Sequence, residues 1–258
     1  MQTLEDPVAE ALRLVGIAKT RNIVVRLMGG LAFHACSPDW SAPAERPGRD
    51  IDLATRGRDR MRLARVLTTE GYLGDETYNT LHGQKQMYFV DEARHRPVDV
   101  LVDRLEMCHT LNFRDRLEVT YPTIPFADLL LSKLQVVKAN RKDLVDAASL
   151  LSEWPLTADD SGISLDRIRA VTASDWGWWR TVKGNVDRLK SFSECEVELG
   201  ELEFGRAPRY DAVAQLTALG EMIETEQKSL GWRLRAVVGD RMSWYQEPEE
   251  VSRTVDAA

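Results

Sequence analysis

The chain has 258 residues, of which 43% are hydrophobic and 29% charged, with a formal net charge of -7. This balance excludes a disordered chain, allows one large domain or two smaller ones, and argues against non-specific wrapping of nucleic acid. No basic stretch followed by an apolar one opens the sequence and no segment nears the roughly 20 apolar residues of a membrane span, so a cytoplasmic protein without membrane partners is expected.

Apolar positions Val8, Leu12, Val15 and Ile17-Ala18 recur at near-helical spacing and predict a helix over residues 5–20. The β-branched run Ile23 to Met28 reads as a strand ending in the Gly29-Gly30 turn, and residues 31–36 as a helix. Residues 37–49 contain Pro38, Pro43, Pro47 and Gly48, which predicts a loop. Asp50-Ile51-Asp52-Leu53-Ala54 then forms a short alternating strand. Residues 58–70 read as a helix stopped by Gly71, and Arg56, Arg58, Arg60, Arg62 and Arg65 form a basic group there, read first as a solvated face. Gln86 to Val90 and Pro97 to Val102 predict a hairpin.

Residues 117–124 read as a further strand. Pro125 opens a helix running through Val137, Asn140 interrupts it, and a helical pattern resumes from Asp143 to Trp154. A polar connector follows near residues 156–162. Beyond it the patterns are mostly helical, including 176–192 and 210–230, with Trp176, Trp178, Trp179, Trp232 and Trp244 read as packing anchors. Two units follow: an α/β (α+β) core with a mixed sheet over residues 1–155, and a mainly helical domain over 163–258. Cys36, Cys108 and Cys195 are too scattered for a disulfide framework or a zinc site and read as reduced packing residues.

Asp50-Ile51-Asp52 is the most informative motif, because residues i and i+2 of a strand face the same way about 6.6 Å apart along the chain. Two such carboxylates suit a hard cation such as magnesium. The Gly29-Gly30 bend before a helix lets backbone N–H groups approach a phosphate. In Pro97-Val98-Asp99-Val100-Leu101-Val102-Asp103, Asp99 sits mid-strand between valines, where an unpaired carboxylate is costly and a metal would account for it; Asp103 lies at the strand end. Lys133 falls inside the apolar arc of Phe126, Leu130, Leu134 and Val137, where its ammonium either meets a partner or snorkels to solvent.

In this order the motifs resemble the polymerase-beta-type nucleotidyltransferase superfamily. Met28-Gly29-Gly30-Leu31-Ala32-Phe33-His34, Arg49-Asp50-Ile51-Asp52-Leu53, and Asp128 to Leu134 followed by Arg141-Lys142-Asp143-Leu144-Val145-Asp146 resemble its AbiEii and MenT-type branch of toxin-like bacterial enzymes. The resemblance covers residues 23–151. It implies that Asp50, Asp52 and Asp99 bind Mg2+ or Mn2+, that Asp99 also activates an acceptor hydroxyl, and that Gly29, Gly30 and Lys133 bind the nucleoside triphosphate. It further implies a hydroxyl acceptor, either the end of a transfer RNA, whose phosphates the arginines after Asp52 would hold, or a protein side chain or a small alcohol such as an aminoglycoside, and an antitoxin-like protein as a restraining partner. Asp143 and Asp146 match acidic positions of that branch and serve equally as helix N-terminal charges. Two departures stand out: Gly30 replaces a frequent serine, and the segment between Gly30 and Asp50 carries an apparent insertion at 37–49. Both fit an alternative, a non-catalytic module of the same fold that senses nucleotides or binds a partner.

Overall fold

The computed structural model describes residues 3–37, 50–199 and 207–247. The loop expected over 37–49, with the apparent insertion it carries, lies outside these residues apart from Ser37.

Helix α1 spans Pro7–Thr20; the Asp6 side chain accepts from the Ala9 N–H at its start, and Ala11, Leu14, Val15 and Ala18 are buried. Then come β1 (Val25–Met28), α2 (Gly29–Cys36), β2 (Ile51–Thr55), α3 (Arg60–Thr69), β3 (Leu73–Gly74), α4 (Glu76–His82), β4 (Gln86–Asp91) and β5 (Arg96–Val102). The five strands form one sheet in the order β1-β2-β5-β4-β3. β2 and β5 are parallel and the other neighbours antiparallel, so the sheet is mixed.

Register separates the two faces. Val25, Leu27, Ile51, Leu53, Val98, Val100, Met87 and Phe89 share one face and are buried in the hydrophobic core. The opposite face carries the row Met28, Asp52, Asp99 and Tyr88, and beside it the row Arg26, Ala54, Leu101 and Gln86. The period-2 alternation that packs one face thus delivers polar groups to the other.

A small hairpin, β6 (Arg104–Glu106) with β7 (Thr110–Asn112), follows the sheet. The strand expected over 117–124 does not form. Pro122 has no N–H to give a ladder, and among the described residues the segment's backbone pairs with the β1 backbone only at Leu27, which donates to the Pro122 carbonyl and accepts from the Ile124 N–H. Helix α5 (Phe126–Leu134) ends before Asn140, which caps α6 (Arg141–Glu153) in a reciprocal capping box with Asp143. The connector near 156–162 carries a short parallel pair, β8 (Leu156–Thr157) and β9 (Ile163–Ser164).

The remainder is helical: α7 (Leu165–Thr172), α8 (Trp176–Leu199), α9 (Ala212–Thr225) and α10 (Leu230–Val238). α8 lies against α5, α6 and α9, and its Val182, Val186 and Leu189 belong to the same buried cluster as the sheet core. Trp176, Trp179, Trp232 and Trp244 stack edge-on or tilted on one another. The architecture is a mixed α+β core followed by a mainly helical part. Cys36, Cys108 and Cys195 are all unbridged.

Candidate functional site

Asp52 on β2 and Asp99 on β5 are register partners in the parallel pair, so both side chains leave the same sheet face from strands about 4.8 Å apart. Asp99 is 9% exposed and Asp52 half-buried, whereas Asp50 immediately precedes β2 and is exposed. The three aspartates therefore line one strand end from solvent inward.

Against them stands the start of α2. Gly29 and Gly30 form no separate turn; they are the first residues of the helix, preceded by Met28 in extended conformation. Gly29 has φ 65, and a Cβ added there would lie 1.8 Å from Asp52 Oδ2. The carboxylate thus occupies the space a side chain would fill, which only glycine permits. Met28, at the N-cap of α2, makes no side-chain cap hydrogen bond. The first N–H groups of the helix and the positive end of its dipole therefore face the region beside Asp52, an arrangement suited to an anion or to a cation-bridged anion. Around Gly30, by contrast, an added Cβ meets nothing within 4 Å.

Gln86, at the start of β4, donates Nε2 to Asp99 Oδ1 at 2.5 Å. This diagonal contact comes from the neighbouring row of the same face and fixes the orientation of the Asp99 carboxylate. Among the described residues no three His, Cys, Asp or Glu side chains converge closely enough to hold a metal ion as they stand. The donor chemistry nonetheless fits: magnesium is commonly held through one or two carboxylates, with water and substrate phosphate completing the shell.

Lys133 on α5 finds its partners inside the protein. Its Nζ lies 2.9 Å from Asp143 Oδ1 and 3.1 Å from Asp146 Oδ2. Burial alone would lower the lysine's pKa, but Asp146 and Asp143 hold it above the ordinary value. The same ammonium is 5.6 Å from the ring of Phe33, one turn along α2 from the glycines. Asp143 and Asp146 are thus more than helix N-terminal charges. Asp103 is used locally: Oδ1 accepts from the Gly57 N–H and Oδ2 pairs with Arg114 at 2.9 Å. Arg56 pairs with Glu118 and Asp59, and Arg62 with Asp59, so part of the arginine group beyond Asp52 serves the fold.

Sequence reading missed Gln86 as a member of the site. The signal was present in principle, since Gln86 is two residues from Tyr88 on a strand already paired with that of Asp99.

Among the described residues no helix is long and apolar enough to cross a membrane. No protein-family model and no curated protein matches the sequence. Among solved structures, the chain is similar to an antigenic nucleotidyltransferase-like protein from Paracoccidioides brasiliensis, with 12% identity over 78% of this chain and 95% of that one and a TM-score of 0.40. It is also similar to the STING-associated CdnE c-di-GMP synthase from Capnocytophaga granulosa, with 12% identity over 90% of this chain and 81% of that one and a TM-score of 0.26.

Proposed function

We propose that the protein is a metal-dependent nucleotidyltransferase that moves a nucleoside monophosphate from a nucleoside triphosphate to a hydroxyl acceptor. The acceptor in this reading is an RNA end such as that of a transfer RNA, and the activity is toxin-like and restrained by an antitoxin-like protein. The observation that carries the reading is the in-register Asp52–Asp99 pair set against Gly29 at the start of α2.

Asp52 and Asp99, with Asp50 at the solvent side, are the residues that would hold Mg2+ or Mn2+. When bound, such an ion neutralises charge on the triphosphate. The N–H groups of Gly29 and Gly30 bind phosphate oxygens, and Lys133, steadied by Asp143 and Asp146 beside the same helix, answers further phosphate charge. Asp99 takes the proton of the acceptor hydroxyl. The acceptor oxygen then forms a bond to the α-phosphorus as the bond to pyrophosphate breaks. Gln86 orients Asp99 for that task. Positioning and charge neutralisation account for the rate, as in other phosphoryl transfers.

Transfer of label from an α-labelled triphosphate to total RNA tests the reading. Asp52→Asn is expected to lower transfer by at least about 10²–10³-fold while the variant stays folded; transfer at the wild-type rate rejects the role. Gly30 in place of a frequent serine favours a second reading, a nucleotide-sensing module. That reading predicts thermal stabilisation by triphosphate with no product from any acceptor.

A further inference from the structure

The polar sheet face does not end at the carboxylates. One row further along, a cavity of about 450 Å³ is lined by Tyr78, His82, Lys85, Gln86, Leu101 and Arg104, a size within the range of about 300–1,000 Å³ typical of small-molecule sites. We propose that this cavity is the acceptor subsite and takes a phosphorylated nucleoside, with its base against Tyr78 and His82 and its phosphate on Lys85 and Arg104. The acceptor role rests on the nucleotidyl-transfer reading; the ligand chemistry follows from the lining itself.

Its position comes from register. Leu101 lies two residues beyond Asp99 on β5 and faces the same way, about 6.6 Å along the strand. Gln86, opposite Leu101, both lines the cavity and donates to Asp99. Among the described residues its amide oxygen has no donor, so it can accept from a sugar hydroxyl while its nitrogen stays on Asp99. A hydroxyl held there is next to the group that takes its proton.

The choice of ligand comes from three features. Tyr78 and His82 are one turn apart on α4, with ring centroids 4.9 Å apart at 44°. Tyr78 is also fixed by an edge contact with Tyr88 at 6.3 Å and by the Asp75 cap. Such prearranged rings offer a stacking surface for a base, and the Gln246 amide offers a donor and an acceptor for its edge. On the other wall Glu106 gathers two cations, pairing with Lys85 Nζ at 2.8 Å and Arg104 Nε at 2.6 Å. Two cations, Lys85 and Arg104, face two lining carboxylates, Glu106 and Glu247, and the ammonium and guanidinium N–H groups that Glu106 does not use are left for phosphate. Glu247 at the rim is 3.8 Å from Lys138.

Isothermal titration of the full chain, without metal or triphosphate, tests the proposal with two probes: 5′-AMP and a 5′-phosphorylated adenosine trinucleotide. Both are measured on wild type, His82→Ala and Lys85→Glu. At least one probe is expected to bind, and each variant to weaken it roughly tenfold. Binding of 5′-AMP alone identifies a free nucleotide as the acceptor, and tighter binding of the trinucleotide identifies the end of a strand. No binding of either probe, or binding that neither variant weakens, overturns the proposal. Absence of labelled product from wild type, with the titrations as expected, removes the catalytic reading and leaves the subsite standing.

Discussion

Replacing Gly29 with alanine perturbs the backbone and the carboxylate at once. The residue has φ 65, a region that costs an L side chain about 1–2 kcal/mol. The new methyl would lie 1.8 Å from Asp52 Oδ2 and 2.6 Å from its Cγ, so Asp52 must retreat by about an ångström or α2 must shift. A displacement of about 1 Å at a reacting centre costs about 10²-fold in rate. Gly29→Ala is therefore expected to lower transfer from labelled triphosphate by about 10²-fold and the melting temperature by about 2–8 °C. Gly30→Ala is the matched control. It keeps the N–H and meets no atom within 4 Å, and on a helix it gains up to about 1 kcal/mol. Equal effects of the two substitutions, or an unchanged rate in Gly29→Ala, refute the account of how Asp52 is placed.

Three further outcomes are expected. His109 is buried, and burial lowers its pKa to about 4, with Asp175 opposing the shift only in part. An unfolded histidine binds protons more readily, so stability falls as pH drops from about 6.5 to 4, by about 3 kcal/mol; urea midpoints across this window should fall less steeply in His109→Gln. Lys133→Met strands Asp143 and Asp146 without their cation and should cost about 3–5 kcal/mol in urea unfolding, with Asp146→Leu in the same chain restoring part of it. Arg114→Ala should leave the urea midpoint nearly unchanged, because that arginine is well exposed in its pair with Asp103.

Much of the core was legible because its signals are local. The alternation in residues 50–54 and 97–102 named both strands and the face each aspartate takes, and the polar turn between 90 and 97 marked the hairpin. Elements β3 and α4 escaped because Gly71, Gly74 and Gly83 break up any apolar period, and α4 buries only Tyr78. Residues 117–124 read as a strand, yet proline chemistry at 122 outweighs side-chain propensity there. The helix start at Gly29 was read as a bend because two glycines usually interrupt a helix; the close approach of Asp52 is what admits them here. The Gln86 contact and the cavity beyond it depend on strand order, which no short stretch of sequence specifies. Lys133 was recognised as a cation needing a partner, and its carboxylates lie ten and thirteen residues further on, across the capping box of α6.

The central claim is that Asp52 and Asp99 together hold a divalent ion in the presence of a triphosphate. Electron paramagnetic resonance of Mn2+ titrated into the protein with a non-hydrolysable triphosphate analogue measures this directly, without reliance on turnover. Bound manganese is expected in wild type, tighter with the analogue than without it, and lost in both Asp52→Asn and Asp99→Asn. Manganese binding unchanged in both variants would contradict the account.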